Sequence, residues 1–214
     1  MKFISENFFP NPKHFEGLWG SDKIWQEHGI EPLHSLTAQE DFAEVVDPLW
    51  AKDYPEWMDL YHVGMDLRQH VFDNYDVDPT KFHDWWGIVH NDVWDRDDYP
   101  NIPRENSDIH IDLFQDYSKV INIQIYMSED IPPEAGTCFW KYKGKENIDH
   151  SGPWPQEKED WELTSQLPFE YNTAFSYDAG PNGEFHSAPL TNDLLDLGVP
   201  NHVRRVIIMR YRFK

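Results

Sequence analysis

Between residues 119 and 127 apolar and polar side chains alternate one by one. Ile121, Ile123 and Ile125 fall on one side; Asn122, Gln124 and Tyr126 fall on the other. A period of two in β-branched residues predicts a strand whose isoleucine row enters a core and whose polar row lines the opposite face. Shorter runs at 136–140 and 172–177, bounded by Pro, Gly or Asn, predict further strands, and 204–213 predicts another. Before residue 82 the spacing is helical instead. Asn11-Pro12 looks like a capped helix start, and Thr37-Ala38-Gln39-Glu40 is a near capping box opening 41–50. Pro55–Phe72 places Trp57, Leu60, Tyr61, Gly64 and Leu67 on one helical face. A helical block followed by many short strands predicts an α+β, mainly β fold: a sandwich or jelly roll carrying the helices on one sheet. The Pro-, Gly- and Glu-rich segment 144–166 reads as a long inserted loop, a type of segment that more often serves function than none.

Charge narrows the choice of partners. The 214 residues hold 18 Lys and Arg against 39 Asp and Glu, a net charge of −21. Such a chain repels phosphate backbones, so nucleic acid is a poor partner. Ten Trp, ten Tyr and thirteen Phe exclude a disordered acidic tail. One cysteine, Cys138, rules out an internal disulfide framework or a multi-cysteine metal site, and is expected to be a buried strand residue. No stretch is apolar over membrane-spanning length, and the opening residues lack a secretory apolar region, so a cytoplasmic protein without a membrane segment is expected.

Chemistry concentrates at Asn106–Asp112, which contains His110-Ile111-Asp112. On an extended segment, residues two apart point the same way, so His110 and Asp112 can converge on one ion. A third ligand must come from another strand, and His186 in Gly183–Pro189 is the candidate. Two imidazoles and one carboxylate form the facial triad of non-haem Fe(II) oxygenases, which leaves three coordination positions open. A second His-x-Asp, His90-Asn91-Asp92, lies in a Trp-rich stretch without a comparable sequel and reads as a core or surface pair. Asp92, Asp95, Asp97 and Asp98 lack the spacing of a calcium loop and read as a solvated acidic loop.

After His110-Ile111-Asp112 come the alternating strand 119–127, then Gly136-Thr137-Cys138-Phe139, His186-Ser187, and Arg204–Tyr211. This order resembles the Fe(II)/2-oxoglutarate-dependent dioxygenases, and is similar to their prolyl-hydroxylase and phytanoyl-hydroxylase branches and to small bacterial and phage members. Glu6–Pro12 looks like that family's opening strand and helix. The resemblance implies one oxygenase domain over 1–214, with a mainly helical part at 1–81 and a double-stranded β-helix, or jelly roll, at 82–214. It implies that His110, Asp112 and His186 hold Fe(II), and that 2-oxoglutarate takes two open positions and O2 the last. A small-molecule or peptide substrate would be hydroxylated with release of succinate and CO2. Arg204 or Arg205 would anchor the far carboxylate of 2-oxoglutarate; they have opposite parity, and the phytanoyl-type pattern favours Arg204. The spacing from His186 is longer than usual in the family, which implies an insertion at 192–201. Tyr126 would touch the cosubstrate carboxylate with Asn122, and with Gln124 less directly, beside it. Val206 or Ile207 stands where the family often carries Ser or Thr. Substrate contacts are expected from the loop 144–166 and from residues 55–72. Two competing readings are a cupin-type metal isomerase and a non-catalytic jelly roll that binds carbohydrate through surface tryptophans.

Overall fold

The computed structural model describes residues 1–19, 55–91, 109–112, 117–144, 158–189, 197–198 and 204–214. Among these residues the strands are β1 (Lys2–Ser5), β2 (Phe82–Asn91), β3 (Lys119–Tyr126), β4 (Cys138–Tyr142), β5 (Trp161–Gln166), β6 (Ala174–Asp178), β7 (Phe185–Ser187) and β8 (Arg205–Phe213), with one long helix, α1 (Pro55–Asn74). They form a five-stranded sheet in the order β1-β6-β3-β8-β2 and a three-stranded sheet in the order β5-β4-β7, every neighbouring pair antiparallel. The fold is therefore α+β and mainly β, as the switch from helical spacing to period two implies.

The alternation in β3 is used as expected. Ile121, Ile123 and Ile125 are fully buried in one core with Met209, Tyr211 and Phe213 of β8 and with Trp57, Leu60 and Val71 of α1. Each such side chain contributes roughly 1.5–3 kcal/mol by leaving water. Pro55 and Glu56 open α1, proline in the first turn and an acid at the positive end of the helix dipole. At the other end the Asn74 side chain donates to the His70 carbonyl at 2.9 Å, and Lys2 of β1 donates to the Asn74 carbonyl, so two terminal carbonyls gain partners. Gly64 sits where α1 lies closest to β2: a Cβ there would come within 2.3 Å of the Trp85 ring, and the Gly64 carbonyl accepts the Tyr211 hydroxyl at 2.7 Å.

Several expectations shift. The predicted helix at 12–19 is a 3-10 helix, Pro12–Trp19, with the His14 amide donating to the Asn11 carbonyl at 3.2 Å. Segment 144–166 is not one loop, because its end is β5. That strand is the edge of its sheet, where only Trp161 is buried and Glu162, Leu163 and Thr164 face water, so its alternation is hidden by polar residues. Helix α1 covers the face of the five-stranded sheet occupied by the isoleucine row. Its apolar stripe is used in that packing, which places residues 55–72 behind the sheet rather than beside the polar face. The predicted helix at 41–50, the acidic cluster at 92–98 and most of 190–203 lie outside the described residues. No helix among the described residues is long and apolar enough to cross a membrane.

Candidate metal centre

His110 and His186 face each other in a two-residue antiparallel bridge: the His110 amide donates to the His186 carbonyl at 3.0 Å, and the His186 amide to the His110 carbonyl at 2.8 Å. Directly opposed residues project from the same face, and the imidazole centroids stand 4.6 Å apart. Asp112, two residues on, emerges on that face too, its amide fixed to the Ala179 carbonyl at 2.7 Å. The Asp112 carboxylate then meets both rings. Oδ1 lies 3.9 Å from His110 Nε2, and Oδ2 lies 4.0 Å from His186 Nε2. One donor atom from each of the three residues lies within 4.8 Å of the other two. Asp112 and His186 are buried, while His110 is partly open.

The surroundings suit a ligand set. His186 Nδ1 is 2.9 Å from the Glu184 carbonyl, which can only accept, so Nδ1 carries the proton and Nε2 keeps its lone pair toward Asp112. Ring orientation by a backbone carbonyl behind a metal-binding imidazole is the usual second layer of such centres. Burial, followed by the nearby His110, pushes the His186 pKa down to about 4, so the ring is neutral at pH 7 and its contact with Asp112 is not an ion pair. Burial acts to raise the Asp112 pKa, but Arg210 leads a group of neighbours that holds it below the ordinary carboxylate range. Among these neighbours, Arg210 places its Nη2 3.1 Å from Oδ1, and Asn122 Nδ2 donates to Oδ2 at 2.7 Å.

From Asp112 a chain of polar contacts runs across the inner face of the five-stranded sheet. Asn122 reaches the Tyr177 hydroxyl at 3.4 Å, and Tyr177 donates to Gln124 Oε1 at 3.3 Å. Thr137 Oγ1 donates to the same Gln124 oxygen at 2.9 Å. The Tyr126 hydroxyl lies 3.0 Å from Thr137 Oγ1 and accepts the Thr137 amide at 2.8 Å. Above Tyr126 lies Arg204. Its guanidinium carbon is 5.9 Å from the Tyr126 ring centroid and 5.4 Å from that of Phe169, and its Nε donates to the Ala135 carbonyl at 2.6 Å. Burial raises the pKa of Tyr126, Arg204 only partly offsetting it, and burial likewise raises that of Tyr177, so both are protonated at neutral pH.

His110, Asp112 and His186 are thus brought together, with Asn122 directly on Asp112. Tyr126 lies at the other end of the polar chain, beneath Arg204. Arg204 is buried on this inner side. Arg205 points the other way, partly exposed, with its guanidinium over the Trp19 ring at 5.8 Å. Cys138 is buried in β4 as expected. The backbone of His90 lies in β2 opposite Val206, and Asp92 is outside the described residues. Arg210, Tyr177 and Thr137 are site residues that the sequence did not single out. Arg210, on β8, shares the parity of Arg204 just before it, which was the available signal; Tyr177 enters through strand register opposite Asn122, and Thr137 through its hydrogen bonds to Tyr126 from the segment before β4, and spacing encodes neither. A separate cavity of about 620 Å³ lies on the opposite face of the three-stranded sheet, lined by Trp140, Trp161, Leu163 and Leu197 among others. Neither protein-family models nor the sequences of curated proteins give a match to this chain.

Proposed function

We propose that this chain is an Fe(II)- and 2-oxoglutarate-dependent dioxygenase that hydroxylates a small-molecule or peptide substrate and releases succinate and CO2. The observation that carries the reading is the convergence of two imidazole Nε2 atoms and one ionised carboxylate on a single face, with one ring locked in the ligating tautomer. That donor set and its chemistry fit a facial triad: His110, Asp112 and His186 would hold the iron and leave one side of it open. When bound, iron and 2-oxoglutarate supply oxygen activation, which no side chain provides.

The chain's own residues do the rest. Among the described residues, Arg204 and Arg210 put two guanidinium groups on the inner side of the sheets, Arg210 beside the Asp112 carboxylate. Fixed cations of this kind, inside a chain of net charge −21, suit a doubly charged anion. Arg204 is the better anchor for the far carboxylate, because it is buried on the side of Tyr126 while Arg205 is stacked on Trp19. Asn122 orients Asp112 rather than a cosubstrate. Tyr126 fixes Thr137 through two hydrogen bonds and shapes the floor under Arg204. Strand order supports the jelly-roll reading of the fold. Apart from the edge strand β1, the larger sheet runs β2-β8-β3-β6, and the smaller runs His110-β7-β4-β5, the pairing that two interleaved Greek keys generate.

The test is anaerobic. Purified protein receives Fe(II) and then 2-oxoglutarate, and the visible metal-to-ligand charge-transfer band is recorded. A band in the wild type that disappears in His110→Ala and His186→Ala supports the reading. Its absence from wild-type protein at saturating iron and 2-oxoglutarate overturns it.

A further inference from the structure

Asp112 offers a metal ion two oxygens that are not equivalent. Oδ1 is within 3.1 Å of the Arg210 guanidinium, and Oδ2 accepts from the neutral Asn122 amide at 2.7 Å. Asn122 and Arg210 are cross-strand partners, directly opposite each other on β3 and β8, so both reach Asp112 from one fixed place on the sheet. A dication on Oδ1 would stand against a permanently charged guanidinium; on Oδ2 it stands beside a neutral amide.

We propose that Arg210 is a positioning residue that makes Asp112 a one-oxygen ligand: it engages Oδ1 and leaves Oδ2, steadied by Asn122, to face the ion. The inference rests on the metal centre of the preceding section. Its consequence is a count of coordination positions. A carboxylate bound through both oxygens would occupy a fourth position, where two histidines and one oxygen occupy three. Arg210 therefore keeps a position free for exogenous ligands without touching the ion.

The experiment uses Mn(II) alone, with no cosubstrate. Water-proton relaxation counts exchangeable waters on the bound ion in wild type, Arg210→Met and Arg210→Lys, beside a His110→Ala control. The expected result is about three waters in wild type, about two in Arg210→Met, and a return toward three in Arg210→Lys, whose ammonium restores a cation beside Oδ1. Infrared difference spectra of the wild type, with and without Mn(II), are assigned by comparison with Asp112→Asn. They should show the wide splitting of carboxylate stretches typical of one-oxygen binding, and they need no Arg210 variant to fold. Three waters retained in Arg210→Met, or the narrow splitting of two-oxygen binding in wild type, overturns the role of Arg210. Wild-type protein that fails to bind Mn(II), or binds it equally after His110→Ala, overturns the metal centre itself, and the proposal with it.

Discussion

Asn122 and Arg210, paired across neighbouring strands, each hold a different oxygen of Asp112. The carboxylate is buried, so this pairing is also what makes its charge tolerable before any ion arrives. Removing the cationic partner of a buried pair costs about 3–5 kcal/mol. Arg210→Met should destabilise the metal-free protein by that order, and Asn122→Leu by about 1–3 kcal/mol through the unsatisfied Oδ2. Because both act on one carboxylate, the double variant should lose a different amount from the sum. Urea unfolding of the four proteins measures this, and strict additivity would show that the two contacts do not share Asp112.

Arg204, just before β8, and Arg205, its first residue, should separate in cosubstrate binding. Arg204→Ala removes a buried charge-assisted contact worth about 1.5–3 kcal/mol, which is roughly ten- to hundredfold in 2-oxoglutarate affinity. Arg205→Ala removes a partly exposed stack on Trp19 and should leave that affinity within about threefold. Titration of the charge-transfer band against 2-oxoglutarate gives both numbers. Equal losses, or a larger loss in Arg205→Ala, would reassign the anchor.

Gly64 has a packing role. Alanine favours a helix interior by about 0.5–1 kcal/mol over glycine, but its Cβ would press on the Trp85 ring at 2.3 Å. Overpacking of this kind costs about 1–3 kcal/mol and should win. Gly64→Ala is expected to lower Tm, and Trp85→Phe in the same chain should recover part of the loss. A Gly64→Ala variant more stable than wild type would mean that α1 can shift off β2 at little cost.

Acid should weaken the contact between α1 and β6. His70 is held below its ordinary pKa by burial first and then by the nearby Lys2, and its ring lies 3.4 Å from the Ser176 hydroxyl. The unfolded chain takes up the imidazole proton near pH 6.5, whereas the folded chain takes it up only at lower pH. Stability from this group is therefore full above pH 6.5 and declines as pH falls below it. Thermal unfolding of the metal-free protein between pH 7.5 and 5.5 should show a shallower pH slope in His70→Gln than in wild type. Identical slopes would assign the acid sensitivity to other histidines.

The parts of this architecture legible in the sequence are those with a local period. Ile121, Ile123 and Ile125 announced a buried row, and His110-Ile111-Asp112 announced two side chains on one face, because a strand converts spacing directly into direction. His186 stood out as a third candidate of the right type on another strand. Arg210 was hidden for a different reason. Its partner Asp112 is reached through the register of β8 on β3, and register depends on every pair along the ladder rather than on any motif. The edge strand β5 was hidden by its exposure, since Glu162 and Thr164 leave little apolar signal between Trp161 and the interior. Nothing in the spacing of Gly136–Phe139 marks Thr137; its role follows from the Tyr126 hydroxyl, which accepts its amide and donates to its side chain.

The position of β8 between β3 and β2 constrains the order in which the molecule can assemble. During synthesis β2, at residues 82–91, and β3, at residues 119–126, both leave the ribosome before residues 205–213, the strand that joins them. Until then β2 lacks its ladder partner, α1 has only part of the surface it packs against, and Asp112 lacks the guanidinium that neutralises it. Pairing over such separations is slow and leaves strand edges open to aggregation. The strand that carries Arg210, and that Arg204 directly precedes, therefore closes the larger sheet, so completion of the sheet and arrival of the guanidinium beside Asp112 are one late event.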